Sequence, residues 1–407
     1  SVVFSISACL KSNSKDKKKD SNNVNNTNTN NTNNTNNTNN SNNSQPVFTI
    51  TQIGRYVTGA EFDEGGTEIA AFCKNSDRLF STNGDEKVVD IINLSDPTTP
   101  TLISSIDPEV DWDTGDFGGI NSVAVKNGLV AIAAEHDDKD GLGRILFYDT
   151  NGTYKGFVEV GILPDMVTFT PDGTKVLVAN EAEPFNNGSD KIIDPEGSVS
   201  IITLNASNPS SSTVQEVTFE TLTGNESTAL RTPLQDALIG DAMLLDQDDY
   251  LGFEPEYIAI SADSTKAFVS LQENNGILVI DIATATIDSI NGLGYKDHSE
   301  TGMGLDAKKD KTANIETVNL RSLYQPDTIA SFTKDGKTYV VTANEGDSRD
   351  IENDAETCIL YTDNAGDSED NCGDSNTIDD ITTSSVDTSL FPDLEFLTDM
   401  GTSDFTN

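Results

Sequence analysis

The sequence predicts an all-β fold: a β-propeller of four-stranded blades, of a seven-bladed type and cut short at its C-terminus, behind a disordered N-terminal tether. Three observations predict it. Beyond Pro46, short β-branched runs alternate with Gly, Asp, Asn and Pro, and helical periodicity is scarce. The runs recur as pairs around tight turns, and most pairs are followed by one or two further strands. Four-stranded units repeated along a chain build a propeller, whose radial arrangement leaves only short edges. A β-sandwich with hairpin insertions is the architectural alternative.

The N-terminal elements come first. Residues 1–9 are a short apolar stretch with small residues that ends at Cys9, and the chain then turns polar. This resembles the end of a bacterial lipoprotein signal peptide, in which the cysteine is cleaved free and lipidated. The resemblance implies that Cys9 carries the lipid and that Leu10, in place of an aspartate, favours the outer membrane or cell surface of a bacterial envelope. A buried cysteine in a short strand is the competing reading. Residues 10–45 hold a lysine patch around Lys15 to Lys19 and an Asn/Thr tract. Such a segment buries too little surface to offset its ordering entropy and is expected to be a disordered tether. Eight residues are too few for a whole signal peptide, so a truncated start is expected. No later stretch is long and apolar enough to span a bilayer, so membrane contact is expected through the lipid alone.

Residues 46–407 form the expected propeller domain, incomplete at the C-terminus. Its clearest hairpin runs from Pro164 to Glu181 around Asp172-Gly173. Further copies run from Pro255 to Asn274 and from Pro326 to Glu345, with weaker ones at Ile120 to Glu135 and Ile69 to Asn83. Third strands are expected at Val88 to Leu94, Arg144 to Thr150, Ser198 to Leu204 and Ile277 to Ile282. Fourth strands are expected at Thr101 to Ile106, Gly156 to Val160, Thr213 to Phe219 and Thr286 to Ile290. Phe48 to Tyr56 would add a closing strand, and Thr232 to Leu245 a surface helix. The copies are unevenly spaced, so long insertions lie between strands.

Charge narrows the partners. Acidic residues number 68 against 25 basic ones, a formal net charge of −43. That surface repels phosphate backbones and anionic lipid, so nucleic acid is not expected as a partner. The four cysteines form no CxxC pair and there are two histidines, which leaves oxygen ligands as the main option for a metal.

In each hairpin the start of the first strand lies beside the end of the second. Asp165 and Glu181, Glu256 and Glu273, and Asp327 and Glu345 therefore share a rim. If these strands are the inner ones, six carboxylates converge on one mouth. Grouped carboxylates repel one another unless a cation neutralises them, and Ca2+ accepts six to eight oxygens with loose geometry. The plainer reading is that Asp and Glu suit turns and solvent. Glu183 and its loop, and the stretch Asn344 to Asp350, add acidic and amide groups to this face.

Arg349 is placed to hold a substrate phosphate or carboxylate, against the alternative of pairing with Asp347 or Asp350. His298 is either an acid–base group or an exposed loop residue. Asp137 to Gly141 lacks the spacing and final glutamate of a calcium loop. Cys358 and Cys372 are expected to form a disulfide across a Gly/Asp-rich insertion, worth about 3 kcal/mol, with free thiols the alternative. Cys73 reads as a buried small apolar residue.

The strings LPDMVTFTPDGTKVLVANEAEP, FEPEYIAISADSTKAFVSLQENNGILVIDI and YQPDTIASFTKDGKTYVVTANEGDSRD resemble the bacterial choice-of-anchor I family. The resemblance spans roughly Pro46 to the end of the chain. It implies a secreted or surface propeller related to YVTN repeats, in a family often labelled alkaline-phosphatase-like or phytase-like. Two functions follow as expectations. The first is an anchored surface propeller, calcium-stabilised, that binds a glycan, phosphoester or protein partner. The second is a calcium-dependent phosphoester hydrolase, which requires basic groups facing the acidic mouth, and few are on offer. A quinoprotein or lactonase type has no residue pattern in its favour.

Overall fold

A computed structural model describes residues 51–60, 66–186, 192–220, 222, 252–306 and 313–345. The chain divides into two compact units, Ser1–Arg55 and Tyr56–Asn407, and every described strand belongs to the second.

Blade 1 is β1 (Ala70–Cys73), β2 (Arg78–Asn83), β3 (Val88–Asn93) and β4 (Thr101–Ile106). A one-turn helix α1 (Glu109–Trp112) leads to blade 2: β5 (Phe117–Lys126), β6 (Leu129–His136), β7 (Leu142–Asp149) and β8 (Tyr154–Ile162). Blade 3 begins with β9 (Pro164–Phe169) and β10 (Lys175–Asn180). A short pair, β11 (Phe185–Asn186) and β12 (Ile192–Ile193), interrupts it before β13 (Ser198–Thr203) and β14 (Thr213–Val217). Blade 4 is β15 (Pro255–Ile260), β16 (Lys266–Leu271), β17 (Gly276–Asp281) and β18 (Thr286–Gly292). A small hairpin of β19 (Tyr295–Asp297) and β20 (Arg321–Leu323) precedes the pair β21 (Pro326–Lys334) and β22 (Lys337–Asn344), which opens a fifth unit. Each four-stranded sheet is an antiparallel meander in chain order.

The burial of each strand follows from its place in the meander. Second and third strands are covered on both faces, so β6, β7 and β10 are near-continuous apolar runs, while β13 buries Ser198 and Ser200 beside its apolar residues. Fourth strands lie outermost, and β4 and β18 are mostly exposed. The first strands of successive units pack on one another: β1 and β2 on β5, β5 and β6 on β9, β9 and β10 on β15, and β15 and β16 on β21. First strands are therefore the inner ones. Each inter-blade seam has its own core. Residues of even number on β6 (Val130, Ile132, Ala134) face blade 1, while Ala131 and Ala133 face blade 3, as a two-residue period requires. Met166 and Leu177 of blade 3 meet Ile258 and Leu271 of blade 4, with Phe219 stacked on Phe253 at 4.8 Å. Full burial of each such side chain contributes about 1.5–3 kcal/mol.

Two hairpin tips show one local device. Asp172 Oδ1 accepts from Thr170 Oγ1 at 2.6 Å and from the Thr174 amide at 2.9 Å. Asp263 Oδ1 likewise accepts from Ser261 Oγ at 2.7 Å and the Thr265 amide at 3.2 Å. These bonds, the Thr170 and Ser261 hydroxyls foremost, hold both carboxyls below their usual range. The side chain adds to the backbone bonds that close each turn, from the Gly173 amide to the Thr170 carbonyl at 2.8 Å and from the Ser264 amide to the Ser261 carbonyl at 2.9 Å, which fixes the register of the strands it joins.

Three sequence expectations need correction or placement. Residues 51–56 carry no strand, so the closing strand proposed for Phe48 to Tyr56 is absent from its described part. His298 is buried rather than exposed: its Nδ1 lies 2.7 Å from the Met303 carbonyl oxygen and its Nε2 2.7 Å from Ser322 Oγ, which pins the β19–β20 hairpin. The helix expected over Thr232 to Leu245 lies outside the described residues. Cys73 is buried, as a small apolar residue would be.

Candidate metal centre at the blade rim

The inner hairpins of blades 3 and 4 and of the fifth unit all begin at proline, which needs no ladder donor there. All three also break register at their rim end, between Ala179 and Asn180, Pro255 and Ile258, and Pro326 and Ile329. A bulge at that point re-aims the side chains that follow it. The backbone is strained beside it: Leu163 and Ala182 have φ of 47° and 59°, and the Glu181 amide donates to the Leu163 carbonyl at 2.9 Å. Non-glycine residues in this region cost of order 1–3 kcal/mol and persist where the surroundings fix them.

This frame brings Glu181, Glu256 and Glu273 together. One carboxylate oxygen from each lies within 4.8 Å of the other two, with Glu273 buried and the others half-buried. Glu181 follows β10 of blade 3, whereas Glu256 and Glu273 come from the inner hairpin of blade 4. Oxygens at 2.3–2.6 Å from a single calcium ion sit up to about 5 Å apart, so the triangle has the right size. Hard carboxylate oxygens with no nitrogen or sulfur donor suit calcium better than zinc. Ser270 Oγ accepts from the Tyr257 amide at 2.9 Å and donates to the Asp327 carbonyl at 2.9 Å, linking blade 4 to the fifth unit.

The electrostatics extend beyond the triangle. Burial pushes the Glu181 carboxyl well up, helped by the charges of Glu256, Glu183, Asp165 and Glu273. Burial also raises Asp165 to about 7, helped by Asp327, Glu183, Glu68 and Glu135. Every described unit thus sends at least one carboxylate into one shared field. Five of the six residues singled out from sequence, Asp165, Glu181, Glu256, Glu273 and Asp327, take part in it. Glu345 follows β22 and is exposed. Arg349, Cys9, Cys358 and Cys372 lie outside the described residues.

Sequence reasoning left Glu68 and Glu135 out of the ring. Both were in view, since Glu135 ends the weak hairpin copy of blade 2 and Glu68 immediately precedes that of blade 1. Neither copy has the Pro-acid start that marks the other three. A pocket of about 100 Å3 adjoins the rim between Glu135 and Glu183. His136 forms part of its wall. Its Nδ1 accepts from the Asp138 amide at 2.9 Å, and its Nε2 lies 3.4 Å from Asp116 Oδ2.

No functionally curated protein matches the chain. Among solved structures it is similar to a functionally unknown protein from Desulfotomaculum acetoxidans, at 11% identity and TM-score 0.38, covering 68% of this chain and 62% of that one. It is also similar to a protein from Lactobacillus plantarum, at 13% identity and TM-score 0.37, covering 63% and 70%. A third is the Swd1 β-propeller domain of Myceliophteria thermophila, at 10% identity and TM-score 0.33, covering 53% and 57%. The chain spans less than two thirds of the length of the first and third of these. Among the described residues no helix is long and apolar enough to cross a membrane. The choice-of-anchor I domain matches residues 68–406, most of the chain and all of its described blades. The chain belongs to the choice-of-anchor I family and is a surface β-propeller.

Proposed function

We propose that this protein is a lipid-anchored propeller of the bacterial surface that binds a ligand or partner at its carboxylate rim through a calcium ion. The observation that carries the reading is the Glu181–Glu256–Glu273 triangle, three carboxylate oxygens within 4.8 Å drawn from two blades. Negative charges that close raise one another's proton affinity, and a divalent cation removes that cost. Bound there, calcium would supply a Lewis-acidic site with positions left for ligand oxygens. Cys9 would carry the lipid, outer-membrane placement follows from Leu10, and the Asn/Thr tract would hold the propeller clear of the envelope.

A second reading, calcium-dependent phosphoester hydrolysis, would use the same triangle, with calcium holding phosphate oxygens and activating a water. Calorimetric titration of chelated protein with calcium tests the first reading, and a phosphate-release assay on the same sample tests the second. Stoichiometric binding without turnover on a broad phosphoester panel supports the binding propeller. Calcium-dependent release supports the hydrolase, and absence of calcium binding sinks both.

A further inference from the structure

The pocket between the β6–β7 turn and the segment after β10 has a chemistry distinct from the calcium triangle. Its polar lining is dominated by hydrogen-bond acceptors: the carboxylates of Glu135, Asp138 and Glu183. Pro184 and Phe185 supply an apolar wall on the blade 3 side. His136 has both ring nitrogens engaged, by the Asp138 amide and by Asp116, and its ring stands edge-on to Trp112 at 6.3 Å. It therefore shapes the pocket and offers nothing to a ligand. A Cβ on Gly141 would fall 2.3 Å from the imidazole, so the turn is pressed against the ring.

An acceptor-lined pocket needs a ligand that donates. Phosphate and carboxylate bring only acceptors and negative charge, so the lining opposes them. Hydroxyls and ammonium groups both donate, and the surrounding field decides between them. Glu135 and Glu183 both add to the negative field that raises Asp165. A cation is favoured over a neutral donor in that field. The apolar wall suits the methylene stem of an amine, and an aromatic ring adds attraction for its charged head. At about 100 Å3 the cavity is smaller than the roughly 300–1,000 Å3 of a whole-ligand site. It takes one functional group of a larger molecule.

We propose that this pocket binds a protonated primary amine on a short alkyl stem, such as a lysine side chain or an amino-substituted glycan would present. Lys139, exposed and lining the same pocket, is the built-in competitor for it. The inference stands on the pocket alone and does not require the calcium reading.

The test uses the full chain in chelator, with butylammonium as probe and butanol and glucose as neutral donors, followed by calorimetry or ligand-observed NMR. Butylammonium is expected to bind saturably, with both neutral probes at least about tenfold weaker. Glu135→Gln with Glu183→Gln is expected to weaken it by about tenfold, and Lys139→Gln to tighten it by about threefold. Glu109→Gln, on exposed α1, serves as the control for diffuse attraction to an acidic surface. Equal binding of butanol or glucose overturns the proposal in favour of a polyol site. An equal loss in the Glu109 variant, or none in the pocket double variant, overturns it in favour of non-specific attraction. Repeating the titration with calcium present separates the two sites, because calcium binding to the triangle succeeds or fails independently of the amine result.

Discussion

Glu181 sits with Glu256, Glu183, Asp165 and Glu273 around it, and burial and their charges all push its proton affinity up. Replacing it with glutamine removes one charge from the repulsive set. Glu181→Gln should therefore stabilise the chelated protein by about 1 kcal/mol while removing most of the rise in melting temperature that calcium gives the parent. Thermal melts with chelator and with calcium check both halves, and a variant that keeps the full calcium response would refute its role as a ligand. Asp165 gives a pH signature. Its folded carboxyl lies at about 7, above an unfolded value of about 3.9, so the folded state holds the extra proton between the two. That contribution is fully present below the unfolded value and is lost as pH rises through about 7. The chelated protein should melt higher near pH 5.5 than near pH 8.5, by on the order of 5 °C, and Asp165→Asn should flatten the difference. Asp281 shifts the opposite way. Lys266 is the largest cause holding it at about 2, so whatever it contributes is lost only as pH falls below about 4, outside that window.

Among the connecting elements, the turn after β16 is tied to the chain that follows it by the Asn275 side chain. Asn275 Oδ1 accepts from the Tyr324 and Gln325 amides, both at 3.0 Å, and its Nδ2 donates to the Gly294 carbonyl at 2.7 Å. Asn275→Ala strands two amides and a carbonyl in a buried place, which should cost about 2–4 kcal/mol, read as a lower urea midpoint with unchanged slope. At the tip of the β9–β10 hairpin, Gly173 has φ of 73° and a Cβ there would lie 2.6 Å from Asn127 Nδ2. Gly173→Ala should cost about 1–2 kcal/mol by the same measurement. The strands themselves were legible because apolar runs bounded by turn residues have few other uses. Val176 to Ala179 and Val130 to Ala134 are buried on both faces, and their sequence says so. The outer strands β4 and β18 were legible from β-branched residues and their position after a third strand. The short elements β11, β12, β19 and β20 were not, since two or three residues carry no period. The rim was legible in blades 3 and 4 and the fifth unit, where a proline followed by an acid marks each start. It was not in blades 1 and 2, where position alone places Glu68 and Glu135.

Over the whole molecule, a net charge of −43 on 407 residues opposes compaction through self-repulsion. Salt screens charges at the surface more than those at a crowded rim. Sodium chloride at about 0.5 M should therefore raise the melting temperature of the chelated protein, yet by less than saturating calcium does, and equal effects would point to general screening rather than a defined centre. The meander has a kinetic corollary. Each complete blade is built from one stretch of chain whose four strands pair in chain order, with the β11–β12 pair inserted in blade 3, and each leans on the unit made just before it. Contacts of that kind are local and quick to form, and a chain synthesised from its N-terminus finishes one blade before the next exists. Blades 3 and 4 bring Glu181 to Glu256 and Glu273 only when the later one docks, so calcium supplied during folding would act as a latch between the two blades.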